Sequence, residues 1–321
     1  MLARLQKLIT AGLLCAALAW FALWTNAGHP LGAAAGAFVI LLGYTWVLAA
    51  EFMLLYVVQR GEAARRASVP ELWRAWRGEI ATAPRVFLWR QPFRSRAEPD
   101  FLPADSPRRH GVVLVHGFFC NRGLWNPWMK VLRAEGIPFV AVNLEPVFGS
   151  IEHYAEIVEA AVERVEKSTG LPAVLVGHSM GGIAIRAWLA RFNADARVRK
   201  IITIGTPHHG TWLARFGHTT NGRQMRHRGP WIADLASREP AERYARFTCY
   251  YGNCDNIVFP SPAAMLDGAE NIHVPATAHV QMAFDPLVLA GVLSWLRGPA
   301  PAQPAAQPGD PGSSFSTPRR T

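Results

Sequence analysis

The chain has 321 residues, enough for one large core with room for an accessory segment. Half of its residues are hydrophobic and 17% are charged, which excludes a disordered or highly solvated chain and is apolar for a water-soluble protein. The net charge of +10 permits anionic lipid or nucleic acid as a partner, and the four cysteines, Cys15, Cys120, Cys249 and Cys254, match no common zinc spacing and read as reduced, unpaired thiols.

The excess of apolar residues lies near the N-terminus. Leu8 to Trp24 holds no charge, and after Thr25 to Pro30 a second apolar stretch runs from Leu31 to Val58 with Glu51 as its one charge. Each is near the roughly 20 residues that cross a bilayer as a helix, so residues 1–59 are expected to form a two-helix membrane anchor. Arg4 and Lys7 precede the first stretch, Arg60, Arg65, Arg66, Arg74 and Arg77 follow the second, and the loop between them has no Lys or Arg. The positive-inside rule places both ends in the cytoplasm, with Glu51 at the headgroups. Gly32 and Gly36 could let the two helices approach closely. A cleaved signal peptide ending near Ala27 is the rival reading; it leaves the second stretch and its trailing arginines unexplained.

Residues 60–110 form a basic, amphipathic segment. Pro70 to Ala81 is expected to be a helix with Leu72, Trp73, Trp76 and Ile80 on one face and Arg74 and Arg77 off it. Such a face suits the lipid interface or a packed position on the next domain. No nucleic-acid fold signature accompanies the arginines, so nucleic acid is not expected as a partner.

From Gly111 apolar strands alternate with helices. Strands are expected at Val112–Val115, Phe139–Val142, Ala173–Val176, Ile201–Ile204, Phe247–Tyr251 and Ile272–Val274. Helices are expected at Leu124–Ala134, Ile151–Lys167, Ile183–Ala190 and Leu287–Leu296, the last capped by Asp285. This alternation predicts an α/β domain over residues 111–297, a mostly parallel sheet with helices on both faces and ligands at the carboxyl ends of its strands. Thr211 to Arg246 reads as a cap over the pocket, and Gly298 to Thr321 as a disordered tail.

Between the third strand and its helix stands Gly177-His178-Ser179-Met180-Gly181, a Gly-x-Ser-x-Gly turn that lifts a serine out of the sheet. The glycines at 177 and 181 avoid steric collision in that turn, and the helix start favours developing negative charge at Ser179. A serine nucleophile needs a base, an orienting acid and donors for an oxyanion. Asp255 follows the fifth strand and is the preferred acid, with Asp234 and Asp267 as fallbacks; a purely structural Asp255 would cap a turn with Asn253. His279, past the last strand, is the preferred base over His273, which sits within that strand. The backbone N–H groups of Met180 and Phe118 are the expected oxyanion donors, with His116 and Gly117 shaping the loop after the first strand. The adjacent His208 and His209 splay apart along the chain and lack a carboxylate cluster, so no metal and no cofactor is expected.

With Val113-Leu-Val-His-Gly117, Leu175-Val-Gly-His-Ser-Met-Gly-Gly182, Ile204-Gly-Thr-Pro-His-His-Gly-Thr211, Asp255 and His279 in this order, the chain resembles the α/β-hydrolases of the lipase and esterase kind over Gly111 to Leu296. Bacterial triacylglycerol lipases are similar in these loops. The resemblance implies a serine hydrolase of carboxylic esters with Ser179, Asp255 and His279 as its triad and an acyl ester or lipid as substrate. Acyl transfer by the same residues is the alternative, and a non-enzymatic lipid-binding role a third. The N-terminal hairpin departs from the secreted lipases. It leads to the expectation of a protein in the bacterial inner membrane, partnered by the bilayer, with the enzyme domain facing the cytoplasm; a cleaved signal would instead deliver it to the periplasm or beyond.

Overall fold

The computed structural model describes residues 1–61, 66–103 and 109–297, so the expected tail at 298–321 and Arg65 lie outside the described residues. Helix α1 (Leu2–Asn26) turns at residues 27–29 into α2 (Pro30–Leu42), which folds back along it. The seam is glycine against tryptophan. A Cβ at Gly36 would fall 1.8 Å from Trp20 Nε1, one at Gly32 would fall 2.7 Å from Trp24, and Trp20 Nε1 donates to the Gly32 carbonyl at 3.1 Å.

The second apolar stretch, expected as one helix from 31 to 58, is two. It breaks at Gly43 and bends by 50° into α3 (Tyr44–Val58). The reason lies in what α3 reaches: Phe52 and Leu55 are buried against Cys254, Phe259 and Ala278 of the downstream domain. Glu51, expected at the lipid headgroups, accepts instead from Asn256 Nδ2 at 2.6 Å. At its end Gln59 donates to the Asn253 carbonyl and to Ser261 Oγ.

Helix α4 (Val69–Pro84) opens on a capping box between Ser68 and Glu71, with Pro70 in the first turn. Its most buried side chains are Ala75 and Glu79, whereas Trp73 stays exposed. Of the expected face, Leu72 and Trp76 pack beside Cys254 and Phe259 while Trp73 points away, and the buried Glu79 carboxylate joins the side turned to the domain. A π-helical turn, Arg85–Arg90, leads into α5 (Gln91–Phe93). The base of α1 docks there: Gln6 Nε2 meets Gln91 Oε1 at 3.3 Å and the Phe119 carbonyl at 3.4 Å, and Asn121 joins them.

The downstream domain continues with β1 (Val112–Val115), α6 (Asn126–Ala134), β2 (Phe139–Ala141), α7 (Ile151–Thr169), β3 (Ala173–His178), α8 (Met180–Phe192) and β4 (Val198–Ile204). Short helices α9 (Thr220–Gln224) and α10 (Pro230–Ser237) precede β5 (Phe247–Tyr251) and β6 (Glu270–His273), and α11 (His279–Met282) and α12 (Pro286–Arg297) close it. The six strands run parallel in the order β2-β1-β3-β4-β5-β6. Side-chain alternation on β1 sorts the core. Val113 and Val115 pack with α7 and α8, while Val112 and Leu114 pack with Trp125, Met129 and Leu132 beside α6 and with Val288 and Val292 of α12. The strand order reverses between β1 and β3, which puts a crevice at their carboxyl ends.

Among the described residues, α1 and the stretch 279–297 are long and apolar enough to cross a membrane by length and composition, as is the bent pair α2–α3 taken together. The stretch 279–297 buries Val288, Val292 and Leu293 in the core, so packing already accounts for it.

Candidate active site

The strand β3 ends at His178 and α8 begins at Met180, so Ser179 must turn the chain within one residue. It does so at φ 55°, ψ −129°, a left-handed conformation rare for a residue with a side chain. The turn is possible only because its neighbours lack side chains. A Cβ at Gly181 would sit 2.3 Å from the Val115 carbonyl, and one at Gly177 would sit 2.7 Å from Gly182 N. From the loop after β1, Gly117 approaches so closely that a Cβ there would lie 2.7 Å from the Ser179 Cβ.

The loop after β5 delivers Asp255, 1% exposed. Its Oδ1 accepts from the N–H groups of Ile257 at 2.9 Å and Val258 at 2.8 Å, and its Oδ2 lies 2.9 Å from His279 Nδ1. The turn-capping and the histidine-facing readings of Asp255 thus coexist, one on each oxygen. Burial alone would hold His279 low, but the charge and hydrogen bond of Asp255, followed by the charge of Glu79 and then Glu51, lift it above its ordinary 6.5. The His279 N–H donates to Asn256 Oδ1 at 3.1 Å. The fallbacks fall elsewhere: Asp234 pairs with Arg238, Asp267 is exposed, and His273 Nε2 lies 3.2 Å from Asn253 Oδ1.

Ser179 and His279 face one cavity of about 360 Å³, lined also by Gly117, Phe118, Phe119, His178 and Asn256. Its remaining wall comes from the N-terminal helices and the turn after them, as Leu48, Glu51, Glu79 and Phe87. None of the lining comes from 211–246, the expected cap. That segment starts by packing Trp212 and Leu213 beside Phe259, and further along Asn221 Nδ2 donates to the Val147 carbonyl and Gln224 bonds to Ser150 Oγ and the Ile151 N–H.

His116 is buried between the Gly117 carbonyl on Nδ1 and the Leu144 N–H, which donates to Nε2 at 3.0 Å. Burial pushes it down to about 4, so it is a neutral strut of the loop carrying Phe118. Met180, buried, starts α8 directly after Ser179. His178 packs on His279 with ring centroids 4.7 Å apart, and burial followed by the neighbouring His279 pushes it down to about 3. Cys120, also on the cavity wall, is driven up to about 12 by burial, which leaves its thiol protonated and unreactive. All four cysteines are unpaired.

Three features of the site escape a reading along the chain. Gly205 stands at φ +54°, where a Cβ would fall 2.9 Å from Asp255 Oδ2 and 3.1 Å from His279 Nδ1; its signal was the Gly-Thr-Pro turn after β4. Glu79 accepts from the N–H groups of Val280 at 3.0 Å and Gln281 at 2.9 Å. Behind the site, Arg186 of α8 and Glu239 form a fully buried bidentate ion pair, with Tyr244 donating to the same carboxylate. His208 is buried 3.0 Å from Thr203 Oγ1, away from any metal-binding cluster among the described residues.

The alpha/beta hydrolase family model matches residues 112–314. The chain is 34% identical over 132 residues to a triacylglycerol lipase of Burkholderia plantarii and 35% identical over 118 residues to one of Pseudarthrobacter phenanthrenivorans. These matches cover 37% and 34% of this chain, and they span only about a third of the relatives' own length, 36% in each case. Among solved structures, the mature form of the Bacillus licheniformis lipase BlEst2 aligns with a TM-score of 0.54 at 18% identity, over 60% of this chain and 95% of that one. Aspergillus fumigatus lipase B aligns with a TM-score of 0.56 at 21% identity, over 65% and 58%. At these identities the structural likeness concerns the fold.

Proposed function

Because the chain belongs to the alpha/beta hydrolase family, we propose that it is a membrane-anchored serine hydrolase of carboxylic esters, an esterase or lipase. The observation that carries this reading is the buried Asp255–His279 pair, 2.9 Å apart, facing one cavity with a serine held on a strained strand-to-helix turn. In the proposed cycle His279 takes the Ser179 proton as Ser179 Oγ bonds to the ester carbonyl carbon. Asp255 fixes the imidazole tautomer and stabilises the imidazolium. The backbone N–H groups of Phe118 and Met180 receive the oxyanion, each worth about 10²–10³ in rate. Collapse of the intermediate breaks the bond to the alkoxy oxygen, and His279 returns the proton to the departing alcohol. Water deprotonated by His279 then attacks the acyl-enzyme, and the acid leaves as Ser179 regains its proton.

The anchor belongs to the same proposal. Leu8, Leu18, Leu23, Leu31, Phe38 and Trp46 leave an apolar surface on α1–α3 that water does not favour and a bilayer does. With the arginines after the second stretch, the enzyme domain is proposed on the cytoplasmic face of a bacterial inner membrane, acting on an acyl lipid of that membrane. The test is labelling of the detergent-purified protein with a fluorophosphonate, wild type against Ser179→Ala, beside hydrolysis of short and long acyl esters. Labelling and turnover are expected to vanish together in the variant. A Ser179→Ala protein that still turns over would overturn the assignment.

A further inference from the structure

The helix carrying His279 is only four residues long, and its own side chains hold its start by one long contact, the Ala278 N–H donating to Gln281 Oε1 at 3.4 Å. The closer grip comes from α4. The Glu79 carboxylate, 2% exposed, receives the N–H of Val280 on one oxygen and that of Gln281 on the other. These are the two amides that follow His279, so a two-point grip there sets the rotation of the turn from which the imidazole projects. The approach is close: a Cβ at Gly78 would fall 2.1 Å from Gln281 Oε1. A second link runs in parallel from α3, where Glu51 holds Asn256 Nδ2 while Asn256 Oδ1 receives the His279 N–H. Tyr44 Oη donating to the Ile80 carbonyl and Trp76 Nε1 donating to the Thr45 carbonyl tie α3 to α4, so both links move as one body.

We propose that Glu79, supplied by the N-terminal segment, is a positioning residue for the base: it fixes the His279 turn and contributes negative charge facing the imidazole. This rests on the reading of Ser179 and His279 as nucleophile and base. The groups facing His279 from the elements around it are Asp255 after β5, His178 at the end of β3, Glu51 on α3 and Glu79 on α4. His178 is neutral at working pH, so the field there is set by three carboxylates. Burial raises Glu79 to about 7 against the pull of its two backbone donors, so its charge is gained as the pH passes through neutrality.

The test uses the full-length protein in detergent with a water-soluble short-chain p-nitrophenyl ester, and compares wild type, E79Q, E79A, E79D and S179A. E79A is expected to lower kcat on the order of tenfold with KM within about twofold, since two amides lose their acceptor while the rest of the cavity wall stays in place. E79Q keeps an acceptor but not the charge, so its loss of kcat is smaller and the acid limb of its kcat/KM profile moves to lower pH, by about half a unit. E79D keeps the charge at shorter reach, so its kcat falls while its acid limb stays where the wild type has it. A merely structural glutamate would lower the melting temperature and leave the limb of the folded fraction unmoved. An E79Q protein with wild-type kcat and a superimposable profile overturns the proposal, and it decides alone if E79A does not fold. S179A separates the two readings. An inactive S179A beside an unchanged E79Q removes only the role of Glu79, whereas an active S179A removes the triad and this inference with it.

Discussion

His279 illustrates how far a single side chain depends on groups remote in the chain. Its burial favours the neutral ring, yet Asp255 and the two glutamates more than offset that, so the imidazolium persists above the ordinary histidine range. The proposed base works only when neutral. Activity therefore rises with pH, and a rate profile of kcat/KM between pH 5 and 9 is expected to show an acid limb with its midpoint above 6.5. A limb below 6 would contradict the carboxylate field. Gly205 makes a second prediction at this scale. Gly205→Ala meets both a left-handed φ and the Asp255–His279 contact, so kcat is expected to fall on the order of 10²-fold, measured on a soluble ester with circular dichroism as the folding control. The residues legible in the sequence were those whose signal is local: Ser179 in its glycine-flanked turn, and Asp255 and His279 in the order this sheet imposes. Glu79 and Gly205 were not, because each acts on a partner far along the chain; 201 residues separate Glu79 from Val280.

At the scale of elements, the strands were readable because a parallel sheet covered on both faces needs unbroken apolar runs, and Val112–Val115 and Ala173–Val176 are such runs. The second hydrophobic stretch misled for the same reason, since an apolar run does not say whether lipid or protein covers it. Its first part, α2, is 13 residues or roughly 20 Å long, so a crossing of the ~30 Å hydrocarbon core needs part of α3 as well, and α3 also packs Phe52 and Leu55 on the downstream domain. The amphipathic face of α4 held for Leu72 and Trp76 and missed Glu79, which is polar by type and buried by virtue of its partners. Helix α8 depends on another interaction invisible in periodicity, the Arg186–Glu239 pair, whose side chains are 1% and 0% exposed. Glu239→Gln leaves a buried guanidinium without its counter-charge and is expected to destabilise the fold by about 3–5 kcal/mol, read from urea unfolding. A change under about 1 kcal/mol would show that water reaches Arg186.

For the whole molecule, the N-terminal helices and the α/β domain are not separable parts. The roof of the cavity, expected from 211–246, is furnished by Leu48, Glu51, Glu79 and Phe87. A fragment beginning after residue 90 would retain Ser179, Asp255 and His279 and lose that roof. We expect it to hydrolyse even a water-soluble short ester at least about tenfold more slowly than the full chain, a comparison in which membrane delivery plays no part. Equal rates would assign the N-terminal helices to targeting alone. The docking of α1 has a further consequence for how such a chain matures. Gln6 meets Gln91 and Asn121, and Glu79 waits for an amide synthesised 201 residues later. Contacts of such sequence separation close late and slowly. Helices α1 and α2 can pair while the sheet is still being translated, and the histidine turn locks onto α4 only after β6 has been made. A nascent chain therefore carries Ser179 before His279 exists to meet it, and the proposed catalytic pair is assembled only when that turn docks.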